Sequence, residues 1–364
     1  MHVREAQDDA DRSELLGLLV GPWLAYAVSA AVELGVVDRI AREPAGPREL
    51  AEELGLRPEP LYRLLRALAA IGILAEDPEG AFAPTGKGRL LSATHPGSMR
   101  DLALLYTSGF FTDAWKRLGD SVRTGEPAFR TAHGTDIYGY LHTHPADSAL
   151  FDAGMSVGSS FAAELPAVVD FSAASRIVDV GGGDGSVLAG LLMAHAHLSG
   201  VLFERPDVMR SAEGRLGTYV AEGRCRAVPG DFFREVPAGG DVYLLCRVLH
   251  NWDAAAARTI LANCRAAMPA DGLLLILERI VPGHGPGRGG AAVPDRGPEP
   301  RGTAAPDRDP AWLALAFDLN MMVMTAGRER TAAEYDELLG SAGLRTREVR
   351  DLAGEMRVLV AAPG

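Results

Sequence analysis

The stretch Arg176–Gly185, with the sequence RIVDVGGGDG, constrains the fold of this chain more than any other. Its apolar, β-branched run Ile177–Val180 stops at three consecutive glycines, and an apolar helical pattern follows at Ser186–Met193. This pattern predicts a buried strand, a tight turn and a helix. Glycine reaches φ values that are closed to other residues and lets the main chain approach a ligand closely. Because three adjacent glycines cost folding entropy, we expect a ligand at this turn.

Two ligands are compatible with the turn. A dinucleotide site has the pattern Gly-x-Gly-x-x-Gly/Ala. When this pattern starts at Gly181, its third glycine position is occupied by Ser186. The other ligand is S-adenosylmethionine, which has no phosphates and needs a tight turn around its amino-acid portion and an acid for its ribose hydroxyls. Gly181, Gly183 and the acceptor Asp179 suit this second ligand, so the sequence favours S-adenosylmethionine.

Length and composition bound the class of protein. A chain of 364 residues suggests two domains, or one large and one small. The net charge of −12 argues against general affinity for nucleic acid or anionic membranes. The sequence has no CxxC motif, which predicts a reducing, cytoplasmic location without disulfides or a zinc site. Its three cysteines are widely spaced: Cys225, Cys246 and Cys264.

The uncharged stretch Leu15–Val32 is close to the length of a membrane span. It contains Gly17, Gly21, Pro22 and Ser29, and acidic rather than basic residues precede it, which argues against a signal peptide and against insertion. We interpret it as a helix buried on most sides. In a small N-terminal domain such burial implies a partner subunit, so a homodimer is expected.

The N-terminal part has the pattern of a winged helix. Gly46–Leu56 and Leu61–Leu68 read as two short helices, and Ile71–Ala75 and Ala81–Thr85 read as the strands of a wing. A winged helix can bind DNA, so a transcription regulator is one alternative. Residues 46–72 carry as many Glu as Arg, however, and a neutral surface does not supply the phosphate contacts that dominate DNA affinity. A dimerisation module is therefore preferred.

Polar residues recur where the strands predicted after the glycine turn come to an end. Those strands are Gly200–Glu204, one that ends at Asp231, Asp241–Leu245 and Gly272–Glu278. Ligands bind at the carboxyl ends of strands in open α/β sheets, so Glu204, about 20 residues past the glycines, is placed to meet ribose hydroxyls. Asp231 and Phe232 suit an adenine. The series predicts a doubly wound, Rossmann-like α/β domain.

A histidine follows the fourth predicted strand, in the sequence LHNWD of residues 249–253. His250 is expected at the same sheet edge as the glycine turn, with Trp252 beside it as a stacking wall. With the later acids Glu278 and Glu329, this position favours a catalytic base over a structural histidine. No metal site is predicted. Two pairs of histidines, His142 with His144 and His195 with His197, are each two residues apart, and neither spacing is convincing for metal ligands.

Taken together, the motifs resemble one family. They are the glycine block, LHNWD, Leu277-Glu278, and the segments Asp318–Met322 and Arg328–Glu334. They are similar to those of S-adenosylmethionine-dependent O-methyltransferases of the caffeate and acetylserotonin type, and more closely to bacterial members that act on aromatic polyketides and related natural products. The resemblance covers nearly the whole chain. It implies a winged-helix dimerisation domain at 1–100, a helical linker at 101–165 that contributes to the substrate pocket, and a class I methyltransferase domain at 166–364.

The same resemblance implies roles for individual residues. His250 would be the general base, and Glu278 and Glu329 would flank it and orient the imidazole. The residues that would hold the cofactor are Asp179, Gly181, Gly183, Glu204, Asp231, Phe232 and Arg247. Those that would line the pocket of a small-molecule acceptor are Phe151, Met155, Trp252, Met321 and Met322. No metal enters this account.

The chain departs from the family pattern at three places. Asn251 stands where Asp is usual, and Cys246 stands where Lys or Ser is usual. The segment Gly283–Pro310 is longer than the usual connection and is rich in glycine and proline. It predicts a flexible surface loop, with a lid over the acceptor as the alternative.

The leading hypothesis is a homodimeric, metal-independent O-methyltransferase that acts on a phenolic hydroxyl of a natural product or biosynthetic intermediate. A second hypothesis keeps the fold but uses the cofactor structurally, for hydroxylation, decarboxylation or a pericyclic step. Retention of His250 and both glutamates argues against that use. The regulator is the third hypothesis. Acceptor identity is not readable from sequence, because pocket shape decides it.

Overall fold

The computed structural model describes residues 2–157, 160–206, 208–283 and 311–364. They form two compact units. The first comprises the described residues up to Thr112 and those from Ala146 to Val157, and the second comprises Asp113–Pro145 and the described residues from Ser160 onward. The predicted loop Gly283–Pro310 lies, from residue 284 on, outside the described residues.

The first unit contains the predicted winged-helix elements. Its helices are α1 (His2–Leu19), α2 (Gly21–Glu33), α3 (Val36–Arg42), α4 (Pro47–Leu54), α5 (Pro58–Ala70), α6 (Gly86–Arg89) and α7 (Arg100–Thr107), and its strands are β1 (Leu74–Glu76) and β2 (Phe82–Pro84). The two strands pair antiparallel, with Ala75 opposite Ala83. Leu50 and Phe82 are fully buried in its core. Of the face predicted for α5, Leu61, Leu65 and Leu68 are buried and Leu64 is half-buried.

The interpretation of Leu15–Val32 as one helix is wrong, while its burial against a partner subunit stays a prediction. Helix α1 ends at Leu19, and α2 begins at Gly21 with a proline in its first turn, where the missing N–H cannot continue α1. The side chains of Leu16, Leu19 and Trp23 are 59%, 66% and 71% exposed. Among the described residues no single helix is long and apolar enough to cross a membrane. Asp8–Leu19 and Gly21–Glu33, which are bent by 43° relative to each other, pass that test only as a pair, by length and composition.

The second unit carries most of the remaining elements. Two helices straddle the division between the units: α8 (Gly109–Trp115) and α12 (Pro145–Val157). The other helices are α9 (Leu118–Thr124), α10 (Ala128–His133), α11 (Ile137–Thr143), α13 (Leu165–Val168), α14 (Ser186–Ala194), α15 (Met209–Ala221), α16 (Ala254–Ala267), α17 (Trp312–Met324) and α18 (Ala332–Ser341). The strands are β3 (Arg176–Val180), β4 (Ser199–Glu204), β5 (Cys225–Pro229), β6 (Val242–Cys246), β7 (Leu273–Arg279), β8 (Leu344–Asp351) and β9 (Met356–Pro363).

The strands form one seven-stranded sheet in the order β5-β4-β3-β6-β7-β9-β8. Strands β5, β4, β3, β6 and β7 are parallel, while β9 runs antiparallel to β7 and β8 antiparallel to β9. Leu188 and Leu216 of α14 and α15 pack on one face, and Ile260 and Leu338 of α16 and α18 pack on the other. The predicted doubly wound fold is confirmed. Strand order reverses between β3 and β6, which is where ligands bind in such sheets.

Asp253 caps the helix that follows the LHNWD motif, because its Oδ1 accepts the main-chain N–H of Ala256 at 2.8 Å. We expect Asp253→Ala to lower the free energy of unfolding by about 1 kcal/mol, the usual loss for such a cap. Asp253→Asn, which keeps an acceptor, is the matched control and should lose much less. Chemical denaturation measures both, and equal losses would contradict the capping role.

Candidate active site

The glycine turn after β3 requires glycine for two separate reasons. Gly181, Gly183 and Gly185 have φ of 70°, 58° and 73°, in the left-handed region that side chains disfavour. A Cβ on Gly182 would lie 2.4 Å from Asp179 Oδ2. The turn therefore wraps closely around the Asp179 side chain, and no larger residue fits there.

Asp179 is the most unusual carboxylate of the turn. It is fully buried, and neither of its oxygens has a hydrogen-bond partner within the described part of the chain. Burial, with the nearby charges of Glu204 and Asp184, raises the pKa of Asp179 to about 8. Buried acceptors are almost always paired in proteins. Two partnerless oxygens beside a glycine turn therefore mark a place for a ligand that donates hydrogen bonds or carries positive charge.

The other residues predicted to hold the cofactor follow neighbouring strands at the same sheet edge. Glu204 ends β4, and its Oε2 accepts the N–H of Gly183 at 3.0 Å, so this acid is joined directly to the turn. Asp231 and Phe232 follow β5, and the Phe232 ring would lie 3.3 Å from a Cβ on Gly181. The structure thus brings Glu204 and the Phe232 ring to the glycine turn, and Asp231 directly precedes Phe232 in the chain.

His250, Glu278 and Glu329 meet in one buried cluster. His250 lies in a 3-10 turn, Leu249–Asn251, just past β6, while Glu278 belongs to β7 and Glu329 to the loop between α17 and α18. The His250 Nδ1 atom is 3.0 Å from Glu329 Oε1 and 3.3 Å from Glu278 Oε2. The main-chain N–H of His250 also donates to Glu278 Oε1, at 3.3 Å. Both carboxylates are fully buried, and within the described residues Glu278 Oε2 and Glu329 Oε2 have no hydrogen-bond partner.

This cluster retains protons more strongly than its isolated groups would. Burial lowers the pKa of His250, but the charges of Glu278 and Glu329 outweigh burial and hold that pKa above its ordinary value of 6.5. Burial raises the pKa of Glu278 to about 7. Because Nδ1 faces two acceptors, it carries the N–H, and Nε2 is left as the atom that can accept a proton. One potential metal-ligand atom from each of the three residues, a ring nitrogen or a carboxylate oxygen, lies within 4.8 Å of the other two, a spacing that also suits a metal ion.

Part of the predicted acceptor pocket lies on the second unit. Trp252 is half-buried, and its ring stacks on Tyr138 with centroids 5.7 Å apart and planes 19° apart. Met321 is buried and Met322 half-buried on α17. Phe151 and Met155 are half-buried on α12, in the part of that helix that belongs to the first unit, so their assignment to the pocket stays a prediction.

Two departures from the family pattern have distinct surroundings. Arg247 has a φ of 54°, and the Asn251 side-chain amide donates to its carbonyl oxygen at 2.9 Å. A carboxylate at position 251 has no hydrogen to donate to that carbonyl. Cys246 is half-buried at the end of β6, and burial raises the pKa of its thiol to about 12. The thiol therefore stays neutral at physiological pH.

The sequence does not assign a role to three further residues of this edge. Tyr138 stacks on Trp252, Asp318 Oδ1 accepts the N–H of Glu329 at 2.9 Å, and Arg330 binds main-chain carbonyls of the turn that carries the histidine. Asp318 and Arg330 lie in the segments Asp318–Met322 and Arg328–Glu334, which carry the family resemblance, but the sequence does not indicate what either side chain does. Tyr138 lies in an aromatic-rich segment, and the spacing of its aromatic residues does not show whether a given ring lines a pocket or fills the core.

A doubly wound sheet with a glycine turn and a buried acid–base cluster at its switch point defines an α/β enzyme that binds a small cofactor. A family model described as the O-methyltransferase domain matches residues 115–292 and 302–345, and one described as the O-methyltransferase dimerisation domain matches residues 16–94. The chain belongs to the O-methyltransferase family. The second match also favours dimerisation over the transcription-regulator interpretation of the winged helix.

Individual relatives agree with this family over most of their length. The chain is 37% identical to 3-amino-4-hydroxybenzoate 4-O-methyltransferase of Streptomyces cremeus, over 99% of this chain and 92% of the relative. The solved structure of the mitomycin 7-O-methyltransferase MmcR is 33% identical, with a TM-score of 0.83 over 99% of this chain and all of that one. A crystal structure of NcsB1, an O-methyltransferase from neocarzinostatin biosynthesis, in complex with S-adenosylmethionine and 2-hydroxy-5-methyl naphthoic acid is 30% identical, with a TM-score of 0.73 over 93% of this chain and 96% of that one.

The raised pKa of Asp179 has a measurable effect on stability. Its contribution to stability is fully present below its ordinary pKa of 3.8 and is lost as the pH rises through about 8, because the ionised form is poorly accommodated in the folded state. We expect Asp179→Asn to remove this loss, so that the Tm of the variant without cofactor gains on that of the wild type as the pH rises from about 5 to about 9. Asp271→Asn, a change at an exposed carboxylate, is the control. A constant Tm difference across this range would contradict the assignment.

Proposed function

We propose that this chain transfers a methyl group from S-adenosylmethionine to a hydroxyl of a small aromatic natural product or biosynthetic intermediate, with His250 as general base. The observation that carries the proposal is the His250 imidazole, held by Glu278 and Glu329 at the sheet edge that also carries the glycine turn. The family match and the relatives named above support the same reaction.

The residues of the turn fit this cofactor. The partnerless Asp179 oxygens and the Glu204 carboxylate are acceptors suited to the ammonium and hydroxyl donors of S-adenosylmethionine. The left-handed glycines let the main chain approach closely, and Asp231, Phe232 and Arg247 complete the residues that would hold the cofactor. The cofactor, when bound, supplies a methyl group on a sulfonium centre.

His250 is suited to the proton transfer that the acceptor needs. A phenol of pKa about 10 is a weak nucleophile near neutral pH. His250, whose pKa is raised by the two carboxylates, is a stronger base than an ordinary histidine and can take the phenol proton as the new bond forms. Glu278 and Glu329 fix Nδ1 as the donor, so Nε2 receives that proton. Their charges then stabilise the imidazolium. No metal is required for these steps.

The acceptor pocket that we propose is apolar and aromatic. Trp252 supplies a flat wall that is itself backed by Tyr138, and Met321 and Met322 of the same unit supply adaptable thioether surface. Flat rings fit such walls. The names of two relatives specify a hydroxybenzoate as substrate and a hydroxynaphthoic acid as ligand. We therefore place the acceptor of this chain among phenolic aromatic compounds.

We also propose a cytoplasmic homodimer that assembles through the N-terminal domain, 1–100, while residues 101–165 link it to the methyl-transfer domain, 166–364. The exposed leucines of α1 and the match to a dimerisation domain support this assembly. The three cysteines are all free, as suits a reducing compartment.

His250→Ala is the direct test of the base. We expect the rate of methyl transfer to fall about 10²–10⁴-fold, the usual contribution of general base catalysis, while the affinity for S-adenosylmethionine stays the same. In the wild type, kcat/KM should fall as the pH drops through the pKa of His250, because the protonated ring cannot accept a proton, and the variant should lack this dependence. Mass spectrometry of a phenol panel incubated with labelled cofactor measures transfer.

Three results, one of them from an added chelator treatment, would contradict parts of this proposal. Near-normal turnover in His250→Ala would remove the base assignment. Loss of activity after dialysis against a chelator would indicate that the cluster of His250, Glu278 and Glu329 holds a metal. An acceptor that is transformed without formation of S-adenosylhomocysteine would favour structural use of the cofactor.

The proposed dimer has its own test. Leu15→Lys combined with Leu19→Lys places two charges on a face that is 56% and 66% exposed in the single chain, and we expect this variant to sediment as a monomer. Val220→Lys, at a 48% exposed apolar residue of α15, is the matched control and should leave the assembly intact. A wild-type chain that is itself monomeric in analytical ultracentrifugation would contradict the proposal.

A further inference from the structure

The turn that carries His250 has an unfavourable backbone. It begins at Arg247, whose φ of 54° lies in the left-handed region that costs a non-glycine residue about 1 kcal/mol or more. Only three residues, Leu249–Asn251, form its 3-10 segment, and such short segments have poor internal hydrogen-bond geometry. Contacts from elsewhere in the fold must therefore hold this turn in place.

Arg330 makes such contacts at both ends of the segment. Its Nη1 donates to the carbonyl oxygen of Leu249 at 2.7 Å, and its Nη2 donates to that of Trp252 at 2.6 Å. These two carbonyls bracket His250. Arg330 is only 2% exposed, so both hydrogen bonds are shielded from water and involve a charged donor, which makes them strong.

The segment around Arg330 meets the same turn at two more points. The preceding residue, Glu329, contacts the His250 ring, as described above. Gly327 packs so closely that a Cβ there would lie 1.8 Å from the carbonyl oxygen of His250. The segment is itself anchored to the sheet, because the N–H of Val281 donates to the carbonyl oxygen of Arg330 at 3.1 Å. One short loop therefore fixes both the ring and the main chain of the histidine.

We propose that Arg330 is a positioning residue for methyl transfer: its guanidinium clamps the Leu249 and Trp252 carbonyls and thereby holds the His250 imidazole against Glu278 and Glu329. This inference rests on the proposed role of His250 as the base. Arg330 touches neither the reacting atoms nor the His250 ring. It acts through the geometry of the turn.

Only arginine has the shape for this task. Its planar fork presents two parallel N–H groups, whereas a lysine ammonium is a single point charge that reaches one of the two carbonyls. Arg330→Lys therefore keeps the buried charge beside Glu278 and Glu329 but releases one end of the turn. The expected defect is one of geometry rather than of electrostatics.

Arg330→Lys should lower kcat about 100-fold with little change in S-adenosylmethionine affinity, because a small displacement of a catalytic group costs about that much. The pH dependence of kcat/KM should also move to lower pH, since a ring that is farther from the two carboxylates loses the interactions that raise its pKa. The matched control is Arg328→Lys, at a half-exposed side chain in the same loop, which should behave as wild type. A wild-type kcat and pH profile in Arg330→Lys would overturn the proposal.

A second variant covers the case in which Arg330→Lys does not fold. Gly327→Ala pushes on the His250 carbonyl from the other end of the loop and leaves the Arg330 charge untouched, so it should give the same shift in the pH profile. An unchanged profile in Gly327→Ala would also count against the proposal.

Combination with His250→Ala separates this inference from the proposed function. If Arg330 acts through the ring, Arg330→Lys should add less than about threefold to the loss already caused by His250→Ala, because coupled residues are not additive. Independent, multiplicative losses would overturn the positioning role. The His250 titration followed by NMR needs no turnover: a lower His250 pKa in Arg330→Lys supports positioning even if His250→Ala remains active, and an unchanged pKa opposes it.

Discussion

The contact of one imidazole with two buried carboxylates is the interaction on which the rest of this structure depends. Glu278 and Glu329 are both fully buried, and an unpartnered charge in such a place would be very costly. The His250 ring, its main-chain N–H and a retained proton relieve that cost, and they fix the tautomer of the ring at the same time. The stability of the cluster and its protonation thus depend on the same contacts, so neither can be altered without affecting the other.

Sheet topology brings these groups to one place. Strand order reverses between β3 and β6, and the chain leaves these two strands in opposite directions, which opens a crevice at their carboxyl ends. The glycine turn follows β3 and the His250 turn follows β6, so these two turns share the crevice. Both turns use left-handed backbone, by glycine at Gly181 and Gly183 and by a strained arginine at Arg247. Strain of this kind persists only where surrounding contacts hold it.

Much of this arrangement could be predicted from local sequence. The glycine turn, the strand-ending acid Glu204 and His250 stand beside strongly periodic apolar runs, and parallel strands carry such positions to one edge regardless of the loops between them. Arg330 could not be assigned in this way. Its partners are the main-chain carbonyls of Leu249 and Trp252. Every residue has such a carbonyl, so the sequence of the turn does not reveal that an arginine binds there.

The sequence by itself determined the class of fold, the glycine turn after β3 and the residue types of the buried cluster of His250, Glu278 and Glu329, because these depend on periodicity, on glycine and on motif spacing. The tertiary structure alone decided how the cluster is held. Glu329 and Arg330 reach His250 and its flanking carbonyls across about 80 residues of sequence, a separation over which no local pattern carries information. Only the folded sheet, with Arg330 tied to Val281 beside β7, brings these groups within hydrogen-bonding distance.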